Sequence, residues 1–189
     1  GGKIMKDLGL IPEGYKIMIV GSVQAMHADN INRMVAFSSA AQVGYIFMGM
    51  GIGGIAGYTA AIFHIMAHAV TKSMLFLTTP RLAEVSDNSL LFKKLEASAL
   101  RNRDAGLAFL VGSLSMIGIP LFAGFTSKLQ FALAGVESGS HVKLVAVMLA
   151  LAASSLLNAV YFMRTLIRIY SDPRGTVSKA NIRQHHRPL

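Results

Sequence analysis

The sequence predicts an all-α integral membrane protein of about four or five transmembrane helices, one of them broken near Gly118–Pro120. Composition is the first reason. Of 189 residues, 53% are apolar and only 14% are charged, where a soluble domain carries about 25% charged residues. Mean hydropathy is +0.51. Charge placement is the second. All nine acidic residues, from Asp7 and Glu13 to Glu137 and Asp172, fall outside the long apolar runs, as do most of the 18 Lys and Arg. The third is the length of those runs, several of which reach the roughly 20 residues that cross a hydrocarbon core. This composition excludes a disordered chain, and the absence of cysteine excludes a disulfide scaffold. The net charge of +9 raises nucleic acid as a partner. No basic patch interleaved with aromatic residues accompanies it, so no nucleic acid is expected.

The runs divide the chain into a polar N-terminal segment (1–16), a membrane domain (17–170) and a basic tail (171–189). No signal peptide is visible, because Gly1-Gly2-Lys3-Ile4-Met5-Lys6 leads into turn residues. The first apolar run, Ile17 to Met26, spans only about 15 Å and reads as a partial spanning helix. The second, Met34 to Ile52, is long enough to cross, and Gly51, Gly53, Gly54 and Gly57 mark a turn after it. The third, Tyr58 to Thr79, is expected to stop at Pro80. In the polar stretch that follows, Ser86-Asp87 reads as the cap of a short interfacial helix carrying Leu90, Leu91, Phe92 and Leu95. The fourth run, Ala105 to Gly135, is about 46 Å long as one helix, too long for a bilayer. Pro120 lies in its middle, so two half-helices joined by an unwound segment are expected. The fifth run is Val142 to Tyr170.

Orientation follows from the positive-inside rule. One side holds Arg33, Arg81, Lys93, Lys94, Arg101, Arg103 and the tail, and the other holds Lys3, Lys6, Lys16 and Lys143. The richer side, with the C-terminal tail, is expected to be cytoplasmic, in a cell (plasma) membrane.

Four ionisable residues fall inside the apolar runs: His64, His68, Lys72 and Lys128. A charge at the bilayer centre costs roughly 3 kcal/mol or more, so such residues are functional candidates by default. His64, His68 and Lys72 stand at i, i+4 and i+8, each offset by about 40° on a helix, and form one polar stripe with about 6 Å between neighbours. Histidine titrates near neutrality and can accept on one nitrogen while donating from the other. The stripe therefore suits a proton relay. It equally suits a polar seam that joins helices through hydrogen bonds. Metal binding by the His-x3-His pair is a third reading, disfavoured because no carboxylate or cysteine stands with the pair in the helix. Lys128 follows the expected break, where a free helix end exposes unpaired backbone groups. Its other reading is a lysine that snorkels to the interface. Ser38 and Gln42 are supporting polar positions in the second run, read as helix glue with Gln42 placed to hold a water. His27 and His141 sit at segment edges, as solvated histidines.

Three ordered motifs then carry a resemblance. The first is Asp29-Asn30-Ile31-Asn32-Arg33-Met34-Val35-Ala36-Phe37-Ser38-Ser39, followed by Gln42-Val43-Gly44-Tyr45. The second is His64-Ile65-Met66-Ala67-His68-Ala69-Val70-Thr71-Lys72-Ser73-Met74-Leu75-Phe76-Leu77. The third is Gly118-Ile119-Pro120 with Gly124-Phe125-Thr126-Ser127-Lys128. Over residues 17 to 170 the chain resembles the antiporter-like, proton-translocating membrane subunits of respiratory complex I (NADH:quinone oxidoreductase), membrane-bound hydrogenases and multisubunit Na+/H+ antiporters. It is most similar to the group that includes the fifth complex I subunit and the large antiporter subunits. The resemblance implies that His64, His68 and Lys72 lie on a central polar axis and that Lys128 lies on a proton exit route. It also implies two inverted five-helix repeats in the whole subunit, of which this chain covers the last part of the second. The Glu–Lys pair and central lysine of the family's earlier helices have no counterpart here, so a C-terminal-half fragment is expected. The implied function is part of a proton pump driven by electron transfer elsewhere. A Na+/H+ antiporter subunit and a structural element without transport are the alternatives. No redox chemistry and no cofactor are expected on this chain, which has no cysteine for iron–sulfur ligation and no nucleotide-binding glycine motif. The expected partners are other membrane subunits, the lipid bilayer, protons and, in the antiporter reading, Na+.

Overall fold

In a computed structural model, described for residue 6 and residues 8–172, the chain is a bundle of antiparallel helices. The basic tail from residue 173 onward lies outside the described residues. Helix α1 is Ile11–His27, α2 Ile31–Ile52, α3 Gly54–Glu84, α4 Ser98–Arg101, α5 Arg103–Ile117, α6 Ala123–Glu137 and α7 His141–Tyr170. The chain is an all-α multi-pass protein in which α2, α3 and α7 are each long and apolar enough to cross a membrane.

The helix ends follow from local chemistry. Helix α1 starts six residues before the apolar run at Ile17, with Pro12 in its first turn, where the missing N–H removes nothing. Asn30 caps α2, its side-chain oxygen accepting from the backbone N–H of Asn32 at 2.8 Å and of Arg33 at 3.3 Å. Gly53, at φ 73°, joins α2 to α3 in a one-residue turn.

Two expectations are corrected. Helix α3 does not stop at Pro80 but runs on to Glu84. Proline cannot donate to the carbonyl four residues back, which here is that of Phe76. The Thr79 hydroxyl donates to that oxygen at 3.1 Å, so the gap in the ladder is closed from within the helix. The expected interfacial helix around Leu90 to Leu95 is absent. Asp87 and Asn88 take positive φ, and the segment pairs its backbone with the start of α2. Phe92 N–H donates to Asp29 O and Ile31 N–H to Leu90 O, both at 3.0 Å. Phe92 and Leu95 are thereby buried in the core.

The fourth run folds as two 15-residue helices, α5 and α6. Gly118 ends α5 at φ 95° and Leu121 between them takes φ 85°, a conformation uncommon outside glycine.

Packing assigns the charges to two ends. Arg164 Nη1 donates to Met26 O at 3.0 Å, and Asn102 Nδ2 to Arg81 O at 3.3 Å. These contacts gather the Arg-rich segments at one end. At the other end Lys143 Nζ donates to Ile52 O at 2.9 Å. The apolar core forms two clusters. One includes Ile31, Leu75, Phe109, Phe162 and Ile169, toward the Arg-rich end. The other includes Ile11, Tyr45, Met48, Phe131 and Val147, toward the opposite end. Ser38, Gln42, His64, Thr71, Lys72, Ser127 and Asn158 are buried on the helix turns between the two clusters.

Helices α1 and α2 meet backbone to backbone. A Cβ placed on Gly44 would lie 2.4 Å from Gly14 O and 2.9 Å from Met18 N. Backbone atoms cannot yield as a flexible side chain can, so Gly44→Ala must push the two helices apart. We expect a loss of about 1–3 kcal/mol from overpacking, read as a lower temperature at which the detergent-solubilised chain loses helical circular dichroism. An unchanged transition would show that the α1–α2 contact adds nothing to stability.

Candidate functional site: a buried polar layer

Each helix delivers polar side chains to the layer from a position set by its periodicity. On α3, His64, His68 and Lys72 do form a stripe, and the rings of His64 and His68 stack with centroids 5.9 Å apart and planes 9° apart. Tyr45 of α2 stacks on the other side of His64 at 4.7 Å, and Phe131 of α6 meets His64 edge-on at 5.7 Å. His64 Nδ1 hydrogen-bonds the Ser127 hydroxyl of α6 at 2.7 Å. The aromatic cage and this bond fix the ring, leaving Nε2 buried without a partner.

Lys72 turns toward α2. Its ammonium donates to Val35 O at 2.9 Å and to the Ser38 hydroxyl, and it lies 5.8 Å from the centroid of the Phe162 ring of α7. Lys72 is 5% exposed, and among the described residues no carboxylate pairs with it. A carbonyl, a hydroxyl and a ring face take the place of a counter-ion.

Lys128 lies one turn into α6 and reaches back across the interruption. Its ammonium donates to Ile117 O at 2.6 Å, to Met116 O at 3.3 Å and to the Ser155 hydroxyl of α7 at 2.9 Å. The carbonyls are those that α5 leaves free at its C-terminus, where partial negative charge collects. Gly118 makes room for this. A Cβ there would lie 2.9 Å from the Lys128 nitrogen and 3.0 Å from its Cδ. Lys128 is therefore held inside the bundle and does not snorkel.

Gln42, His64, His68, Thr71, Ser115, Ser127 and Lys128 line one cavity of about 20 Å³. That volume admits a single water. Gln42 Nε2, His64 Nε2 and His68 Nδ1 are buried and have no hydrogen-bond partner. Across the cavity the Thr71 and Ser115 hydroxyls stand 3.4 Å apart, and Ser115 Oγ also accepts from Gly124 N–H at 3.2 Å. Among the described residues no third His, Cys, Asp or Glu joins the histidine pair to make a three-ligand metal cluster.

The structure thus brings His64, His68, Lys128 and Gln42 to one cavity and places Lys72 and Ser38 in direct contact at its flank. Reading the sequence missed the hydroxyls of Ser115, Ser127 and Ser155, and it missed Asn158 and Tyr161. The signal for α7 was present: Ser154, Ser155 and Asn158 interrupt an otherwise apolar run. His27 and His141 stay outside the layer, at the ends of α1 and α7.

Comparison with known proteins agrees with this arrangement. A family model described as the transmembrane region of NADH:quinone oxidoreductase/Mrp antiporter matches residues 14–154. NADH-quinone oxidoreductase subunit N of Desulforudis audaxviator is 36% identical over 159 residues, covering 81% of this chain and 30% of the relative. Subunit L of Rickettsia conorii is 32% identical over 159 residues, covering 83% and 22%. Among solved structures, the Mrp complex from a Dietzia species aligns with TM-score 0.79 at 26% identity, over 90% of this chain and 31% of that one. The membrane-bound sulfane sulfur reductase, an archaeal respiratory membrane complex, aligns with TM-score 0.74 at 26% identity, over 92% and 36%. The chain spans less than a third of the length of these two curated relatives. With three spanning helices, a polar layer and a family match over most of its length, this multi-pass plasma-membrane chain belongs to the NADH:quinone oxidoreductase/Mrp antiporter family.

Proposed function

We propose that this chain is part of a proton-translocating membrane subunit, in which His64, His68, Lys72 and Lys128 pass protons through the layer between the apolar clusters. The observation that carries the reading is the cavity shared by Gln42, His64, His68 and Lys128. One water in it bridges the free nitrogens of both histidines to the lysine, and a histidine pair with such a water exchanges protons without moving backbone. Lys128 takes up and releases the proton on the exit route, its carbonyl and hydroxyl partners stabilising an ammonium without neutralising it. Ser38 holds Lys72, and Gln42 holds the water.

In this reading the membrane domain covers 17–170, with a polar segment before it and a cytoplasmic tail at 171–189. There are five passes: α1, α2, α3, the α5–α6 pair as one broken span, and α7. The Arg-rich end faces the cytoplasm. The chain works inside a larger assembly of membrane subunits, where electron transfer elsewhere drives the protons. Likeness to the Mrp complex supports Na+/H+ exchange as the second reading. An assembly element without transport is the third.

Three measurements test this. Lys128→Ala is expected to abolish coupled proton flux in membrane vesicles containing the native assembly, and wild-type flux in that variant would overturn the role. Replacing both His64 and His68 by Gln preserves polarity but not titration, so we expect a loss of at least about 10² in rate, the scale of one general acid–base group. Full transport in the double variant would favour the seam over the relay. Cysteines at Ser89 and Ser138 are expected to react with impermeant thiol reagents from opposite sides, Ser89 from the cytoplasm. Labelling of both from one side would reject the topology.

A further inference from the structure

A larger cavity lies at the Arg-rich end, outside the polar layer, and its walls have a different chemistry. It encloses about 390 Å³ between the end of α3 and the start of α5. Leu77, Arg81 and Glu84 of α3 form one wall. Arg103, Asp104 and Ala108 of α5 form the other, with Arg101 of α4 beside them. Nearer the bundle centre the two helices close on each other. A Cβ on Gly112 of α5 would lie 2.7 Å from Leu75 Cδ2 and 3.2 Å from Met74 Cε. The space between α3 and α5 therefore tapers from the Arg-rich end inward.

Its depth follows from helix length. Helix α3 has 31 residues, about 46 Å at 1.5 Å per residue, against about 30 Å of hydrocarbon and about 40–45 Å of bilayer with its headgroups. Centred on the bilayer, such a helix carries Arg81 and Glu84 among the headgroups and Leu77 at the edge of the hydrocarbon. The wall changes character at that depth, from guanidinium to the apolar Leu77 and Ala108. Below it Val70 of α3 and Leu107 and Val111 of α5 are exposed apolar side chains, a surface suited to acyl chains.

Three guanidiniums and two carboxylates meet the cavity, leaving one net positive charge. Among the described residues no ion pair involves any of the five. Arg101 is fixed by its Nη2, which donates to the Ser86 hydroxyl at 3.1 Å and to Glu96 O at 2.9 Å. Both acceptors are neutral, so they hold the guanidinium without compensating it. Asp104 stands in the first turn of α5, where free N–H groups stabilise a carboxylate. Arg81 and Arg103 are exposed. Guanidiniums bind phosphate through paired N–H bonds, and basic pockets between membrane helices take lipid headgroups.

We propose that this cavity binds an anionic phospholipid of the phosphatidylglycerol type, with its phosphate among Arg81, Arg101 and Arg103 and its acyl chains starting against Leu77 and Ala108. One phosphodiester matches the single excess positive charge. A headgroup that carries its own ammonium would leave that excess in place. The site is separate from the proton path and does not depend on it.

The test uses the native assembly, purified in mild detergent and titrated with dioctanoyl phosphatidylglycerol, dioctanoyl phosphatidylcholine or glycerol phosphate, with bound ligand counted by native mass spectrometry. Arg81→Gln and Arg103→Gln alter exposed side chains. We expect each to weaken phosphatidylglycerol binding about fivefold, and the pair roughly 25-fold. Ala108→Phe fills the apolar wall without changing charge and should also weaken it. Lys93→Gln with Lys94→Gln removes two charges from the same end outside the cavity and should leave binding in place. Unchanged affinity in the arginine pair, as a protein neighbour covering the cavity would give, would overturn the site. An equal loss in the lysine pair would overturn it in favour of general surface charge. Equal binding of phosphatidylcholine would overturn the anionic headgroup, and equal binding of glycerol phosphate would overturn the lipid in favour of a free phosphate compound.

Discussion

A helix that ends inside a bundle leaves carbonyl oxygens with no backbone donor, and the arrangement around α5 answers that constraint. Met116 O and Ile117 O receive Lys128 from the next helix, and Met116 O also receives Asn158 from the last one. Two helices, α6 and α7, are thereby tied to the terminus of α5. The interruption that frees the carbonyls also aims them, because Gly118 turns the chain away and leaves the space the lysine occupies. Removing a donor leaves a buried acceptor unsatisfied, a penalty of about 1–3 kcal/mol for each group. The lysine and the turn at Gly118 therefore stabilise one another.

The same economy governs Lys72. A buried ammonium without a carboxylate is expensive, and here it is met by a carbonyl, a hydroxyl and an aromatic face drawn from α2 and α7. Dipolar partners of this kind stabilise a charge without cancelling it. The histidines between the two lysines are treated alike. Stacking against Tyr45 and Phe131 fixes His64, and one bond to Ser127 leaves its second nitrogen facing the cavity.

The fold and the site were legible in the sequence to different degrees. Apolar run lengths located α2, α3 and α7, because a spanning helix writes its length directly into composition. The spacing of His64, His68 and Lys72 placed them on one stripe, since helical periodicity is a property of the chain alone. What failed were features that depend on contacts between distant segments. Pro80 reads as a stop until Thr79 is seen to satisfy the Phe76 carbonyl. Leu90 to Leu95 reads as an amphipathic helix until its backbone is seen to pair with residues 29 and 31. Ser115, Ser127 and Ser155 carry no signal of their own, because a serine in a membrane helix more often bonds its own turn. Only the structure shows that Ser155 meets Lys128, Ser127 meets His64 and Ser115 meets Thr71 and Gly124.

The two apolar clusters have a consequence as insulators. Along the long axis of the bundle the polar layer is closed above by Tyr45, Met48 and Phe131 and below by Leu75, Phe109 and Phe162. These side chains form dry gaskets that a hydrated ion cannot cross without opening a void. The flank is different, because His68 and Lys128 are only half-buried there. A proton path of the kind proposed above would therefore leave the layer edgewise, at this flank. The interior clusters set the stability of the bundle, and the flank is where its polar layer approaches the surface.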